Sequence, residues 1–291
     1  MLYTPTILNN DIPFITKIIV EYKIDAIIPL LDIDVLKLAE NREIIESYGA
    51  MIIGPCKDTA LICNDKYSTY EFLNREGFNT IPTFLSTEQV ILEIERKKIQ
   101  YPLVVKPRWG MGSIGVYTAE NVQELVVLYN KVRRDIYRSQ LKYESSRDEN
   151  NCVIIQPKIV GTEYGCDIIN DLNGNYCTSV VKMKLSMRAG ETDRAIVVDN
   201  PSIEKEAKRI SKLLKHKGNM DVDIMEKDGE YYILELNARF GGGYPFSHIS
   251  GVNLPQAIVE WLEGKETDYS RLQAEIGVMG QKSINISNIV Q

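Results

Sequence analysis

No Cys-x-x-Cys pair occurs in the 291 residues, and the five cysteines, Cys56, Cys63, Cys152, Cys166 and Cys177, are odd in number and scattered. This excludes a disulfide framework and a structural zinc site, and it fits a reducing compartment in which cysteines act as small apolar fillers. No apolar run approaches bilayer-spanning length. Residues 1–11 also lack the basic start and apolar centre of a secretion signal, so the expectation is a cytoplasmic protein with no membrane partner. Basic charge is not in excess either: the formal net charge is −6, and nothing favours nucleic-acid backbones as partners. Any anion site must be assembled locally.

What is present is an ordinary globular composition, 44% hydrophobic and 25% charged, enough for two or three subdomains with their own cores. Helical periodicity over 12–21, an apolar run over 24–32, a helix over 34–48 and a short strand over 50–53 alternate as β/α units around a small parallel sheet. A helix over 65–75 follows, then a strand over 101–107. Next come a glycine-bearing loop over 108–116 and a highly charged stretch over 121–148, read as a helix with a solvated face. A strand over 152–160 leads into a hairpin turning at Gly174-Asn175 and continuing over 176–185. Residues 186–195 read as a polar loop and 203–215 as an amphipathic helix. A last hairpin around Asp228-Gly229, a helix over 254–263 and a tail adding an edge strand complete the chain. His216 reads as a surface residue. His248 reads as a structural residue close enough to the preceding glycines to be a candidate for a pocket wall.

The segment Glu235 to Tyr244, ELNARFGGGY, carries the clearest chemistry. Residues two apart on a strand share a face, so Glu235, Asn237 and, if the extension continues, Arg239 form one polar row, while Asp221 and Asp223 form another on the preceding strand. A two-residue turn would put Asp223 and Glu235 on opposite faces. A three-residue Lys227-Asp228-Gly229 turn would restore a common face, and this is the turn expected. Two carboxylates and an amide oxygen are hard ligands suited to Mg²⁺, with Mn²⁺ as the alternative ion. Gly110, Gly112 and Gly115 after Lys106 offer unobstructed backbone amides next to a cation, as a phosphate cradle requires. Their spacing matches neither a Walker loop nor a dinucleotide fingerprint. Lys182, Lys184, Arg188 and Arg194 form a basic group that could reach an anion, with Lys184 and Arg188 chosen ahead of the other two.

Taken in order, Asp65-Lys66, PLVVKP, GMGSIG, QPKIVGTEY, DVD and ELNARFGGG resemble the ATP-grasp superfamily, most closely its carbamoyl-phosphate-synthase large-subunit-like branch. The resemblance runs roughly from Ile24 to Gly264. It implies an α/β and α+β chain in which two α+β subdomains grip ATP behind a shortened β/α pre-ATP-grasp domain. The corresponding divisions are 1–64 for that domain, 65–82 for a connecting helix, 83–158 for the lid subdomain and 159–291 for the central subdomain with the metal site. The resemblance further implies that Gln156, Pro157, Lys158 and Ile159 form the adenine hinge and that Glu163 holds the ribose. By the same resemblance Lys66 and Lys106 bind phosphate, and Gly112, Ser113, Ile114 and Gly115 form the mobile lid loop. Asp223, Glu235 and Asn237 hold the metal, and Arg239 and Lys106 serve catalysis. From the basic group, and not from the resemblance, Arg188 is assigned to the phosphates and Lys184 to catalysis. The chain departs from the pattern at Gln156, often Glu, at Asp223, commonly Gln in the synthases, and at Ala238, where they have Pro. The implied activity is ATP-dependent ligation of a small carboxylate to an amine through an acyl-phosphate, in an enzyme comparable to known homodimers. Carbamoyl-phosphate chemistry on bicarbonate or carbamate, a kinase-like phosphorylation and a catalytically silent ATP-binding protein stay open as alternatives.

Overall fold

The computed structural model describes residues 12–110 and 112–284, so residues 1–11, in which no secretion signal was read, lie outside the described residues. Helix α1 (Ile12–Tyr22), strand β1 (Ala26–Ile27), helices α2 (Asp32–Glu40) and α3 (Arg42–Glu46) and strand β2 (Met51–Ile52) form an N-terminal β/α layer in which β1 and β2 pair in parallel. The apolar run over 24–32 yields only two strand residues, because the chain leaves the sheet at Ile28 and enters α2. The single helix read over 34–48 is two, with Asn41 between them.

Helices α4 (Lys57–Asn64) and α5 (Lys66–Arg75) lead to α6 (Thr87–Glu95) and to strands β3 (Leu103–Pro107) and β4 (Tyr117–Ala119). Helices α7 (Val122–Tyr137) and α8 (Lys142–Ser145) and strand β5 (Val153–Pro157) follow. The antiparallel sheet β4-β3-β5 packs Leu103, Val105, Val153 and Ile155 against Leu125, Val132 and Ile136 of α7. In α7 the buried residues are Leu125, Val132 and Ile136, on one helical face, while charged residues and Val126 and Val127 lie toward solvent.

The second body is a six-stranded antiparallel sheet in the order β10-β9-β6-β7-β8-β11. Its elements are β6 (Thr162–Asn170), β7 (Tyr176–Arg188), β8 (Glu191–Val197), α9 (Pro201–Leu214), β9 (Gly218–Lys227), β10 (Glu230–Asn237), α10 (Tyr244–Ile249), α11 (Leu254–Leu262) and β11 (Met279–Gln281). Helices α5 and α9 cover one face through Phe72, Leu73, Ile203, Ala207 and Ile210. On the other face Ile169, Val180 and Val197 pack against Tyr244, Leu254 and Ile258. The rest of that second face is polar and open, and it faces the three-stranded sheet. Strand β11 is the edge strand read from the tail.

Three sequence expectations need correction. The polar segment 186–195 is a β-hairpin: β7 runs to Arg188, β8 starts at Glu191, and Ala189 and Gly190 take φ of 50° and 81°. Two consecutive positive φ values make a tight turn whose twist suits a hairpin, a geometry that polarity alone does not reveal. The β9–β10 turn has two residues, not three: Lys227 pairs with Glu230, and Asp228 and Gly229 take φ of 54° and 82°. His216 is fully buried, not on the surface; its Nε2 lies 3.0 Å from the Ile168 carbonyl, to which it donates, and Asn170 Nδ2 approaches Nδ1 at 3.5 Å. All five cysteines are free; Cys152 and Cys166 are the buried fillers expected, whereas Cys56 is exposed. Among the described residues no helix is long and apolar enough to cross a membrane.

Candidate active site

A cleft of about 400 Å³ lies between the two sheets and reaches the N-terminal layer at Leu30 and Leu31. On its far wall β9 alternates buried Met220, Val222 and Ile224 with cleft-facing Asp221 and Asp223. Across β10 the register starts even, with Ile233 opposite Ile224, and then slips by one residue, so that Glu235 stands opposite Asp223 and Asn237 opposite Asp221. The β-bulge at Leu234 therefore brings the two acids onto one face, which a two-residue turn with an unbroken ladder would prevent. The common face was expected; the device that produces it was not.

Strand β6 supplies Glu163, Gly165 and Asp167 to the same face, and β7 supplies Lys182 and Lys184. Gly165 lies opposite Asp223, and with no side chain there Lys184 crosses β6; a Cβ on Gly165 would sit 3.5 Å from Lys184 Cε. Lys184 Nζ then donates to Glu163 at 2.7 Å and to Asp223 at 2.5 Å. Burial alone would lower the Lys184 pKa, but Asp223 and Glu163 hold it above the ordinary lysine range.

The near wall comes from β3, where Leu103 and Val105 point into the core and Val104 and Lys106 toward the cleft. Lys106 Nζ reaches across to Glu235 Oε1 at 3.1 Å. Lys66, first residue of α5, stands 3.9 Å from the same oxygen and donates to the Gly110 carbonyl at 2.5 Å. Its position follows from Asp65, which caps α5 through the Tyr67 amide at 2.9 Å and accepts two bonds from Arg108 at 2.7 and 2.6 Å. Burial would raise the Glu235 pKa, but Lys66 and then Lys106 outweigh it and bring it down to about 2. Arg239 is held on the floor by Asp32 of α2 at 2.7 Å, and it donates to the Phe240 carbonyl at 3.2 Å.

Gly112, Ser113 and Ile114 line the cleft mouth and meet the β7–β8 turn; a Cβ on Gly190 would lie 2.5 Å from the Gly112 carbonyl oxygen. Gly115 packs on Pro107, where a Cβ would meet the ring at 3.1 Å. Other predicted residues stand apart from the cleft wall. Arg188 is half exposed and paired with Asp193 at 2.7 Å, because the strand runs on past the cleft. Gln156, opposite Val104, donates its Nε2 to Thr83 at 2.8 Å, and no described residue donates to its Oε1. Pro157 ends β5 and Lys158 and Ile159 lead on toward β6, with Lys158 Nζ 3.5 Å from Thr118; none of the three lines the cleft. His248 is exposed and outside the cleft.

Lys182, Asp167 and Asp221 also belong to this face and were not chosen from the sequence. Asp221 shares its strand row with Asp223, and Lys182 belongs to the same basic group as Lys184, so the signal was there. Lys182 is buried and donates to Asp167, which also accepts from Ser247 and from Asn219. Burial, then Asp223 and Asp167, push the Asp221 carboxyl up to about 7.

The donor set suits a hard divalent ion: two carboxylates and an amide oxygen on adjacent positions of paired strands, with Glu235 ionised well below neutral pH. Among the described residues no three Cys, His, Asp or Glu side chains form a self-sufficient metal cage. Such a set is completed by water and by oxygens of a ligand, which is how Mg²⁺ is commonly held with phosphate.

The chain is similar to the carbamoyl phosphate synthase arginine-specific large chain of Geobacillus stearothermophilus, 24% identical over 230 residues, which are 76% of this chain and 21% of that one. D-alanine–D-alanine ligase A of Bacillus cereus is 29% identical over 237 residues, 77% of this chain and 76% of that one. The chain thus spans about a fifth of the synthase and about three quarters of the ligase. Among solved structures, the biotin carboxylase domain of the 2-oxoglutarate carboxylase of Hydrogenobacter thermophilus, in complex with MgADP, ADP and bicarbonate, superposes with a TM-score of 0.73. It is 19% identical over 94% of this chain and 62% of that one. The L-amino acid ligase of Bacillus licheniformis gives 0.60 at 20% identity, covering 87% and 59%. Residues 63–243, more than half of the chain, match the family described as the ATP-grasp domain. With two α+β bodies closing on a cleft of lysines and hard oxygen donors, the chain belongs to the ATP-grasp family.

Proposed function

We propose that the protein is an ATP-dependent carboxylate–amine ligase of the ADP-forming kind. The observation that carries this reading is the meeting of Lys106, from one sheet, with Glu235, from the other, 3.1 Å apart across the cleft. A phosphate chain entering there finds cations on one wall and metal-binding oxygens on the other. Among the described residues, those up to 64 act as a β/α domain, 65–82 as the connecting helix, 83–158 as the lid and those from 159 on as the central subdomain.

Lys66 and Lys106 hold the phosphates, and the backbone of Gly112 to Gly115 closes over them. Gln156, Pro157, Lys158 and Ile159 receive the adenine, with the open Gln156 Oε1 accepting from its amino group. Glu163 takes the ribose, and Arg188 swings in from the hairpin to the phosphates. Asp223, Glu235 and Asn237 hold Mg²⁺ or Mn²⁺, which when bound neutralises charge on the phosphate oxygens. Arg239 and Lys184 face the charge that spreads over the transferring phosphoryl group. The substrate carboxylate takes the γ-phosphoryl group to give an acyl-phosphate and ADP. The amine then displaces phosphate and leaves an amide. No side-chain nucleophile is required, and the lid keeps water from the acyl-phosphate.

We place the enzyme in the cytoplasm, acting on small molecules as a homodimer, with no nucleic-acid or membrane partner. The dimer draws support from the dimeric biotin carboxylase domain it resembles. The test is to supply Mg-ATP with mixtures of carboxylates and amines and follow ADP, phosphate and amine together. ADP release matched by amine consumption supports the ligase; ADP release that consumes no amine indicates a kinase-like enzyme.

A further inference from the structure

Five carboxylates line the cleft, and the cations they meet differ. Glu235 faces Lys106 and Lys66, Glu163 and Asp223 share Lys184, and Glu191 is paired with Lys282 at 3.0 Å. Asp221 has no ion pair, and among the described residues none donates a hydrogen bond to its carboxylate. Lys182, on the same face, is committed to Asp167, and Lys184 to Glu163 and Asp223, so among the described residues no cation is hydrogen-bonded to Asp221. Around it the glycine run is shaped to leave the carboxylate uncovered: a Cβ on Gly241 would fall 2.1 Å from Asp221 Oδ2, and one on Gly243 would lie 3.4 Å from Lys182 Nζ and 4.0 Å from Asp221 Oδ1. Phe240 and Phe246 border the same end of the cleft.

We propose that Asp221 receives the ammonium group of a substrate, so that the glycine end of the cleft selects a compound carrying a free primary amine, an amino acid, over a simple carboxylic acid. This rests on the ligase reading. An ammonium presents three donors and a single charge, which matches one unpaired carboxylate with free lone pairs. A divalent ion at the same spot would need several more oxygens, whereas Asp167, opposite Asp221 on β6, is already taken by Lys182, Ser247 and Asn219, and Asn237, opposite it on β10, supplies a single amide oxygen.

The experiment measures ADP release by the full chain with Mg-ATP and a pool of free L- and D-amino acids, against the same pool N-acetylated on its amino groups. Free amino acids should stimulate release and the acetylated pool should not. In Asp221→Asn the KM for the stimulating amino acid should rise roughly ten- to a hundredfold, the cost of a lost charge-assisted bond. The affinity for Mg-ATP, read separately with a fluorescent nucleotide, should stay within about twofold. Equal stimulation by the acetylated pool would overturn the proposal while sparing the ligase reading. So would an Asp221→Asn enzyme whose Mg²⁺ requirement rises with its amino-acid KM unchanged, since that marks a metal ligand. No ADP release with any pool, in protein that binds Mg-ATP, would overturn both.

Discussion

Asp223 and Glu235 face one another across β9 and β10 only because Leu234 is bulged out between Ile233 and Glu235. Without that slip the two-residue turn at Asp228-Gly229 would put one acid in the cleft and the other in the core, where an unpaired carboxylate is costly. The bulge thus converts an ordinary hairpin into a bidentate wall.

Removing that wall should abolish turnover and spare the fold. Glu235→Ala deletes one of the proposed metal ligands and leaves Lys66 and Lys106 without their shared partner. Mg-ATP turnover should fall by at least about a hundredfold, with Asn237→Ala close behind, while the circular-dichroism spectrum is retained. Unchanged turnover in both would remove the metal assignment.

Asp32 comes from the N-terminal layer yet fixes the Arg239 guanidinium at 2.7 Å. Asp32→Asn keeps the shape and removes the charge. It should lower kcat roughly tenfold with little change in the KM for Mg-ATP, because only the orientation of the guanidinium proposed to face the transferring phosphoryl group is loosened. A rise in KM with kcat intact would assign Asp32 to ground-state binding instead.

His216 and Asp221 give stability opposite pH dependences over nearly the same range. Burial holds His216 down to about 4 from 6.5, so the unfolded chain takes up a proton first and stability falls as pH drops through that window, by about 3 kcal/mol. Burial and neighbouring acids hold Asp221 up at about 7 from 3.8, so its contribution is present at low pH and is lost as pH rises through that window. Relative to the wild type, His216→Gln should make the change in urea midpoint from pH 4.5 to 7 more negative, and Asp221→Asn should make it more positive. Shifts of the same sign in both variants would contradict these environments.

Gly190 has a positive φ of 81° and faces the Gly112 carbonyl at a distance no Cβ tolerates. Gly190→Ala should push the hairpin turn off the lid loop and admit water. The expected result is more ADP released per amide formed, measured as a coupling ratio, with at least about 1 kcal/mol lost in stability. An unchanged ratio would show that this contact does not seal the cleft.

Much of the site was legible because strand periodicity and ordered motifs are local properties. Glu235 and Asn237 could be assigned one face from alternation alone, and α9 from amphipathic spacing, whereas the strand ends at Asn237 and Arg239 lies past it. Alternation already puts Asp221 in one row with Asp223, and it would also have set Lys182 beside Lys184. Asp32 was out of reach, because its contact with Arg239 spans 207 positions of chain. The bulge at Leu234 and the Ala189-Gly190 turn depend on backbone dihedrals that polar composition does not encode. His216 was misjudged because its burial is purchased by two partners, Ile168 and Asn170, that only the folded sheet assembles.

The stoichiometry of ADP, phosphate and amide in one reaction of the full chain with Mg-ATP, a carboxylate and an amine decides whether the protein is a ligase. A ligase forms one of each per turnover, with formation of all three lost together in Lys106→Ala. Mg-ATP binding without release of ADP or phosphate, for every carboxylate and amine mixture tried, would contradict the ligase reading.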